Sequence, residues 1–158
     1  IPPKKGKTHI LRIIRELIEF QPKNSKTNIS EALRYLTNVI KKRSICFVIS
    51  DFIDKPFEDA LKLSNKKHDV VALRIYDQRE HEMPDVGLID LVDAESGKKM
   101  TVDTSHTNFR IGYKKMWERR ERELAECFAR SGVDAAKIRT DESYVQPLMK
   151  LFKKRGKK

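Results

Sequence analysis

Apolar side chains recur along this chain in two rhythms, a helical one of about 3.6 residues and short continuous runs, and the two alternate. In residues 8–20, Ile10, Ile13, Ile14, Leu17 and Ile18 fall on one stripe. That spacing predicts an amphipathic helix with the stripe buried, Thr8 as its cap and Pro22 as its stop. The polar stretch 23–28 reads as a loop. Ile29, Leu33, Leu36 and Ile40 mark a second helix over about 30–42, with Asn28 or Ser30 at its N-cap. Ser44-Ile45-Cys46-Phe47-Val48-Ile49-Ser50 is different: short, continuous and β-branched, as in a strand covered by helices on both faces. Asp51 follows it at once, at the end of the strand where open parallel sheets bind ligands.

The alternation continues. Pro56 precedes a predicted helix over 57–67 with Phe57, Ala60, Leu61 and Leu63 apolar, and Val70-Val71-Ala72-Leu73 forms a second buried strand within 68–76. Residues 77–85 are a charged connection. Residues 86–92 and 99–103 flank Asp93-Ala94-Glu95-Ser96-Gly97 and read as a β-hairpin. A long helix over 105–130 carries Tyr113, Met116, Trp117, Leu124 and Phe128, with Gly132 as its C′ residue. A short strand over 135–139 and a last amphipathic helix marked by Val145, Leu148, Met149 and Phe152 close the chain. Helices alternating with buried strands predict an α/β layer architecture with parallel strands flanked by helices and an inserted hairpin near 86–103.

Composition narrows this picture. At 158 residues, with 39% hydrophobic and 36% charged side chains, the chain fits one globular domain rather than a disordered segment. No apolar run approaches the roughly 18 residues that span a bilayer, so no membrane segment is expected here, and the protein is expected in the cytoplasm. Ile1-Pro2-Pro3-Lys4-Lys5-Gly6 reads as the middle of a longer protein. The two cysteines, Cys46 and Cys127, lie far apart in apolar surroundings and read as core residues of a reducing compartment. The four histidines have no metal-ligand spacing. The net charge of +11 calls for an anionic partner to be weighed, nucleic acid included. Much of it sits at the ends and at the Lys41-Lys42-Arg43 block closing a helix, where a cation suits the dipole. Residues 153–158 read as a basic tail.

There is no phosphate loop, no GxGxxG and no GxSxG, and Ser, His and Asp form no triad that spacing supports. The pair that stands out is Thr27, in a polar loop before a helix, and Asp51, at the end of a buried strand. In a parallel sheet both can reach one rim, and hydroxyl and carboxylate oxygens suit magnesium or manganese. Such ions want about six oxygens, so on spacing alone these residues read first as a turn hydroxyl and an Asx-turn or N-cap carboxylate. Asp77, Arg79 and Glu80 follow the second strand and form either a partner surface on that rim or an ion-paired anchor for the hairpin.

Lys26-Thr27-Asn28-Ile29-Ser30-Glu31-Ala32-Leu33 resembles the T-N-I-x-x-A/G-L motif of von Willebrand factor A domains, and Ile45 to Phe52 resembles their fourth strand ending in the metal-site aspartate. Ile49-Ser50-Asp51-Phe52, His68 to Arg74, Asp77-Gln78-Arg79-Glu80, Met83-Pro84-Asp85-Val86-Gly87, Val102-Asp103-Thr104 and Thr140-Asp141 resemble, in order, the bacterial domain-of-unknown-function family 58. The resemblance implies the C-terminal half of a von Willebrand A-like, Rossmann-like three-layer fold over residues 1–152. It further implies a metal-ion-dependent adhesion site to which Thr27 and Asp51 contribute. The family's D-x-S-x-S loop occurs nowhere in the sequence, and Asp103-Thr104-Ser105 does not replace it. The remaining ligands are therefore expected upstream of residue 1, with magnesium or manganese in the full-length protein and no metal on these residues alone.

The function implied is a non-enzymatic protein-binding or scaffold module resembling partners of MoxR-type AAA+ ATPases, with no catalytic residues. The strand at 44–50, lacking a neighbour, is expected to expose an edge and to favour self-association. A basic nucleic-acid-binding protein is the alternative. Tyr35, Tyr113, Trp117 and Phe152 fall on apolar stripes and are expected in the core, where they cannot stack on bases.

Overall fold

The computed structural model describes residues 1–22, 26–92 and 97–156. The helices are α1 (Lys7–Glu19), α2 (Ile29–Val39), α3 (Glu58–Lys67), α4 (Gln78–His81), α5 (Thr107–Arg130) and α6 (Val145–Arg155). The strands are β1 (Ile45–Ser50), β2 (Asp69–Tyr76), β3 (Leu88–Val92), β4 (Lys99–Asp103) and β5 (Asp134–Arg139). β1, β2 and β5 form a parallel three-stranded sheet in that order, with Ile45 opposite Asp69 and Ala72 opposite Ala135. β3 and β4 pair antiparallel as a separate hairpin, Leu88 opposite Asp103. The predicted turn residues 93–96 lie outside the described residues.

The sheet is a mixed α/β layer with helices on both faces. On one face Val70 and Ala72 of β2 join Cys46 and Val48 of β1 beneath Ile29 and Leu33 of α2, Leu61 of α3 and Phe128 of α5. On the other, Val71 and Leu73 pack with Ala136, Ile138 and the α6 residues Leu148 and Leu151. Alternate side chains of a strand point to opposite faces, so β2, buried on both, is apolar on both over Val70–Leu73. Both cysteines are free and part-buried, and burial pushes their thiols up. They pack against the first cluster, as core cysteines do.

Local chemistry sets the boundaries. Asn28 caps α2, its side-chain oxygen accepting from the Glu31 N–H at 2.9 Å. α5 ends in a Schellman arrangement: the Val133 N–H donates to Phe128 O and the Gly132 N–H to Ala129 O, with Gly132 at φ 65°. The hairpin base is tied to α5 through Thr104, which is fully buried. Its hydroxyl accepts from the Val86 N–H and donates to Gly87 O, while Arg110 donates to Thr104 O and pairs with Asp85. The family-like segments at 83–87 and 102–104 therefore form one clamp.

The structure corrects several expectations. The α1 stripe is not buried: the helix has no buried residue, its N-cap is Gly6 rather than Thr8, and Leu17 is 74% exposed. The period creates the helix, but the described residues offer no surface for its stripe. β1 is covered on one face only, leaving Ile45, Phe47 and Ile49 exposed on the other. Among the aromatics, Trp117 is buried as expected, whereas Tyr35 and Phe152 are exposed. α6 also runs through Arg155, which pairs with Asp69 and Asp134 at the amino ends of β2 and β5. The predicted tail thus begins as ordered helix.

Candidate functional site at the carboxyl ends of the strands

Because β1, β2 and β5 are parallel, Asp51, Asp77 and Asp141 follow the strands on one rim. The chain leaves β1 through a tight turn. The Asp51 carboxylate accepts from the Ile53 N–H at 3.0 Å, an Asx turn, and the Ser50 hydroxyl accepts from the Phe52 N–H at 3.0 Å. Phe52 lies at φ 57°, a left-handed conformation that a bulky side chain adopts only under constraint. The constraint is visible: its ring is buried against Phe57 and edge-on to Phe128 at 5.0 Å. Strain is thus held beside Asp51, whose carboxylate stays exposed.

The amino end of α2 is tied to this turn by a residue that sequence reasoning missed. Asp54 accepts from the Ile29 N–H at 2.6 Å and from the Lys55 N–H at 2.7 Å. It therefore anchors the amino end of α2, where the helix dipole favours an anion, to the loop after β1. The Ser30 hydroxyl reaches Pro56 O across the same junction. Thr27, Ile29 and Ser50 line one groove of about 430 Å³ along the open side of β1. The partner of Asp54 lies 25 residues away, and no local pattern announces it.

The second predicted cluster divides. Asp77 caps α4, accepting from the Arg79 N–H at 2.8 Å, and the Thr140 hydroxyl reaches its other oxygen. Arg79 is exposed and, with Asp141 and Met83, lines a groove of about 720 Å³. Glu80 turns inward towards Arg74 of β2, which is 2% exposed. Burial pushes the Arg74 pKa down, and the carboxylates of Glu80 and Asp51 oppose that. Its guanidinium pairs with Glu121 of α5, which also pairs with Lys137 of β5. Beside it His81 is stacked between Tyr76 and Trp117, at 5.0 and 5.2 Å. Burial, then the Arg74 charge, holds the His81 pKa below its ordinary value. The one sequence signal for this polar centre is a lone arginine ending a buried apolar run.

Among the described residues no group of three His, Cys, Asp or Glu side chains is placed to hold a metal ion. Asp51 and Thr27 are oxygen ligands of the right kind, but they do not by themselves make the six-oxygen shell that magnesium or manganese requires.

The fold and this rim define a mixed α/β protein with a parallel sheet and acidic groups gathered at the carboxyl ends of its strands. Within that class, the chain belongs to the protein family of unknown function DUF58, whose model matches residues 1–123. It is 23% identical to an uncharacterized protein of Mycobacterium avium, over 98% of this chain and 93% of that one. It is also 23% identical to uncharacterized proteins of Mycobacterium bovis and Mycobacterium tuberculosis, over 98% of this chain but 50% of each of theirs. The chain thus spans about half the length of these last two. No solved structure matches it. Among the described residues, no helix is long and apolar enough to cross a membrane.

Proposed function

We propose that these residues are the C-terminal half of a von Willebrand A-like domain and serve as a non-enzymatic protein-binding module, with a MoxR-type AAA+ ATPase as the partner. The observation that carries the reading is the strained Asp51 turn, tied through Asp54 to the loop bearing Thr27. Strain persists where the surroundings over-determine it, and such places cluster at ligand sites. The parallel order β1-β2-β5, with an acidic residue after each strand, supports the fold assignment. Asp51 would supply charge and Thr27 a hydroxyl to a magnesium or manganese ion whose other protein ligands come from outside these residues. When bound, the ion offers an open coordination position to a carboxylate of the partner.

Calorimetric titration of magnesium and manganese into a polypeptide extended towards the amino terminus tests this. One ion per chain is expected, lost in Asp51→Ala and weakened in Thr27→Val. Binding of the ATPase should fall in parallel in Asp51→Ala and on chelation. Metal binding that does not depend on Asp51 would sink the metal reading. ATPase binding insensitive to both changes would show that the rim is not the contact.

A further inference from the structure

The far edge of the sheet is built differently from the rim. Among the described residues β5 ends the sheet, paired only with β2. The Thr140 N–H donates to Tyr76 O, so by strand alternation the main-chain groups of Ile138 and Ala136 also face β2. Those of Ala135, Lys137 and Arg139 face outward. Arg139 O is taken by the Glu142 N–H, while the outward N–H and C=O of Ala135 and Lys137 face no neighbouring strand among the described residues. Unpaired main-chain groups on a sheet edge are a template for another strand. Here the template is framed. A groove of about 570 Å³ separates β5 from α6 on one face, and one of about 320 Å³ separates it from α5 on the other. Ala135 lines both.

The charge along this edge selects the occupant. Lys137, Lys150 and Lys154 line the groove beside α6, and Lys154 also lines the groove beside α5. The nearby carboxylates are committed elsewhere: Glu121 to Arg74 and Lys137, Glu142 to Arg139, and Asp134 to Arg155. Lys150 and Lys154 are exposed and enter no ion pair among the described residues. A second copy of the same edge would bring like charges together. A nucleic acid would meet the lysines but could not pair with the alternating N–H and C=O groups.

We propose that the β5 edge binds an extended, acidic peptide segment of another protein, which adds to the sheet as a fourth strand. Main-chain pairing supplies affinity in this mode, and alternate side chains supply selectivity. The carboxylates of the added strand would face Lys150 and Lys154. This edge lies beyond the residues matched by the family model and does not depend on the Asp51 site.

The test uses the full chain and a ten-residue peptide alternating glutamate with valine or threonine, followed by hydrogen exchange and fluorescence anisotropy. The expected result is at least tenfold slower exchange at the Ala135 and Lys137 amides on adding peptide. The same peptide N-methylated at alternate residues, with its charge unchanged, should bind at least tenfold more weakly to the wild-type chain. The double variant Lys150→Glu/Lys154→Glu should weaken binding of the unmodified peptide to a similar degree. Equal binding of the methylated peptide, protection confined to β1, or amides already protected by self-association without peptide would overturn the proposal. An oligonucleotide of equal charge binding more tightly than the peptide would assign the edge to nucleic acid and overturn it too.

Discussion

His81 shows what one side chain reports about this molecule. It stacks between Tyr76 and Trp117, 3.7 Å from the Glu121 carboxylate, yet burial and the Arg74 charge hold its pKa below the ordinary 6.5. A histidine whose folded pKa is depressed binds fewer protons than the unfolded chain does, so its contribution to stability is present above 6.5 and is lost as pH falls below it. Trp117 is the sole tryptophan, and an imidazolium quenches indole emission on contact. Fluorescence of the native chain should therefore fall on acidification with a midpoint below 6.5, and the step should vanish in His81→Phe. A midpoint at or above 6.5 would contradict the part-buried stack. At this scale the site was only partly legible. Asp51 and Asp77 could be found because a carboxylate directly after a buried strand has few other places to be. Asp54, Arg74 and Glu121 could not, since each takes its meaning from a partner distant in sequence.

Elements are legible wherever their stabilising contacts lie within themselves or on immediate neighbours. β2 is apolar on both faces because it is central, and the long α5 carries its own stop signal in Gly132. The α1 period is equally clear, but burial of its stripe is not, because period specifies a helix and only a neighbour can bury it. β1 shows the same limit: a run apolar on both faces implies two covers, and one is present here. Contacts between elements add what periodicity cannot express. Glu58, in the first turn of α3, meets Arg130 at the end of α5 and Lys62 one turn on. Hydrogen bonds from Arg130, then Lys62, lower its pKa from 4.5 to about 2. A carboxylate depressed in the folded state contributes stability above its unfolded value, and that contribution is lost as pH falls through its folded one. The melting temperature of Glu58→Gln should lie below wild type at neutral pH, and the gap should close between pH 4.5 and about 2. The Arg130 and Lys62 ends of the ion pairs are exposed to solvent, so the gap should be small. A gap constant across that range would mean that Glu58 acts by packing rather than by charge.

At the scale of the whole molecule, one surface stands apart. Ile45, Phe47 and Ile49 expose one face of β1, and the Phe47 ring meets that of Phe152 edge-on at 6.3 Å, joining this face to the exposed Met149 and Phe152 of α6. A contiguous apolar patch of this kind on a chain of +11 is a place where association occurs despite charge repulsion. Among the described residues β1 is also an edge strand, so two routes to association meet there: pairing of main chains along the edge and packing of apolar side chains across the face. They differ in what disrupts them. Phe47→Lys removes the face and leaves the main chain of the edge intact. A proline at an edge position removes a donor with little effect on the face. Light scattering is expected to give a mass that rises from 18.5 kDa with concentration, because both routes bring chains together by mass action. If the face dominates, Phe47→Lys should restore the monomer mass and added salt should strengthen association of the wild type, as repulsion is screened. If the edge dominates, Phe47→Lys should leave the mass unchanged. A wild-type chain that scatters as a monomer at all concentrations would mean that neither route operates, and that the apolar face of β1 is tolerated in water.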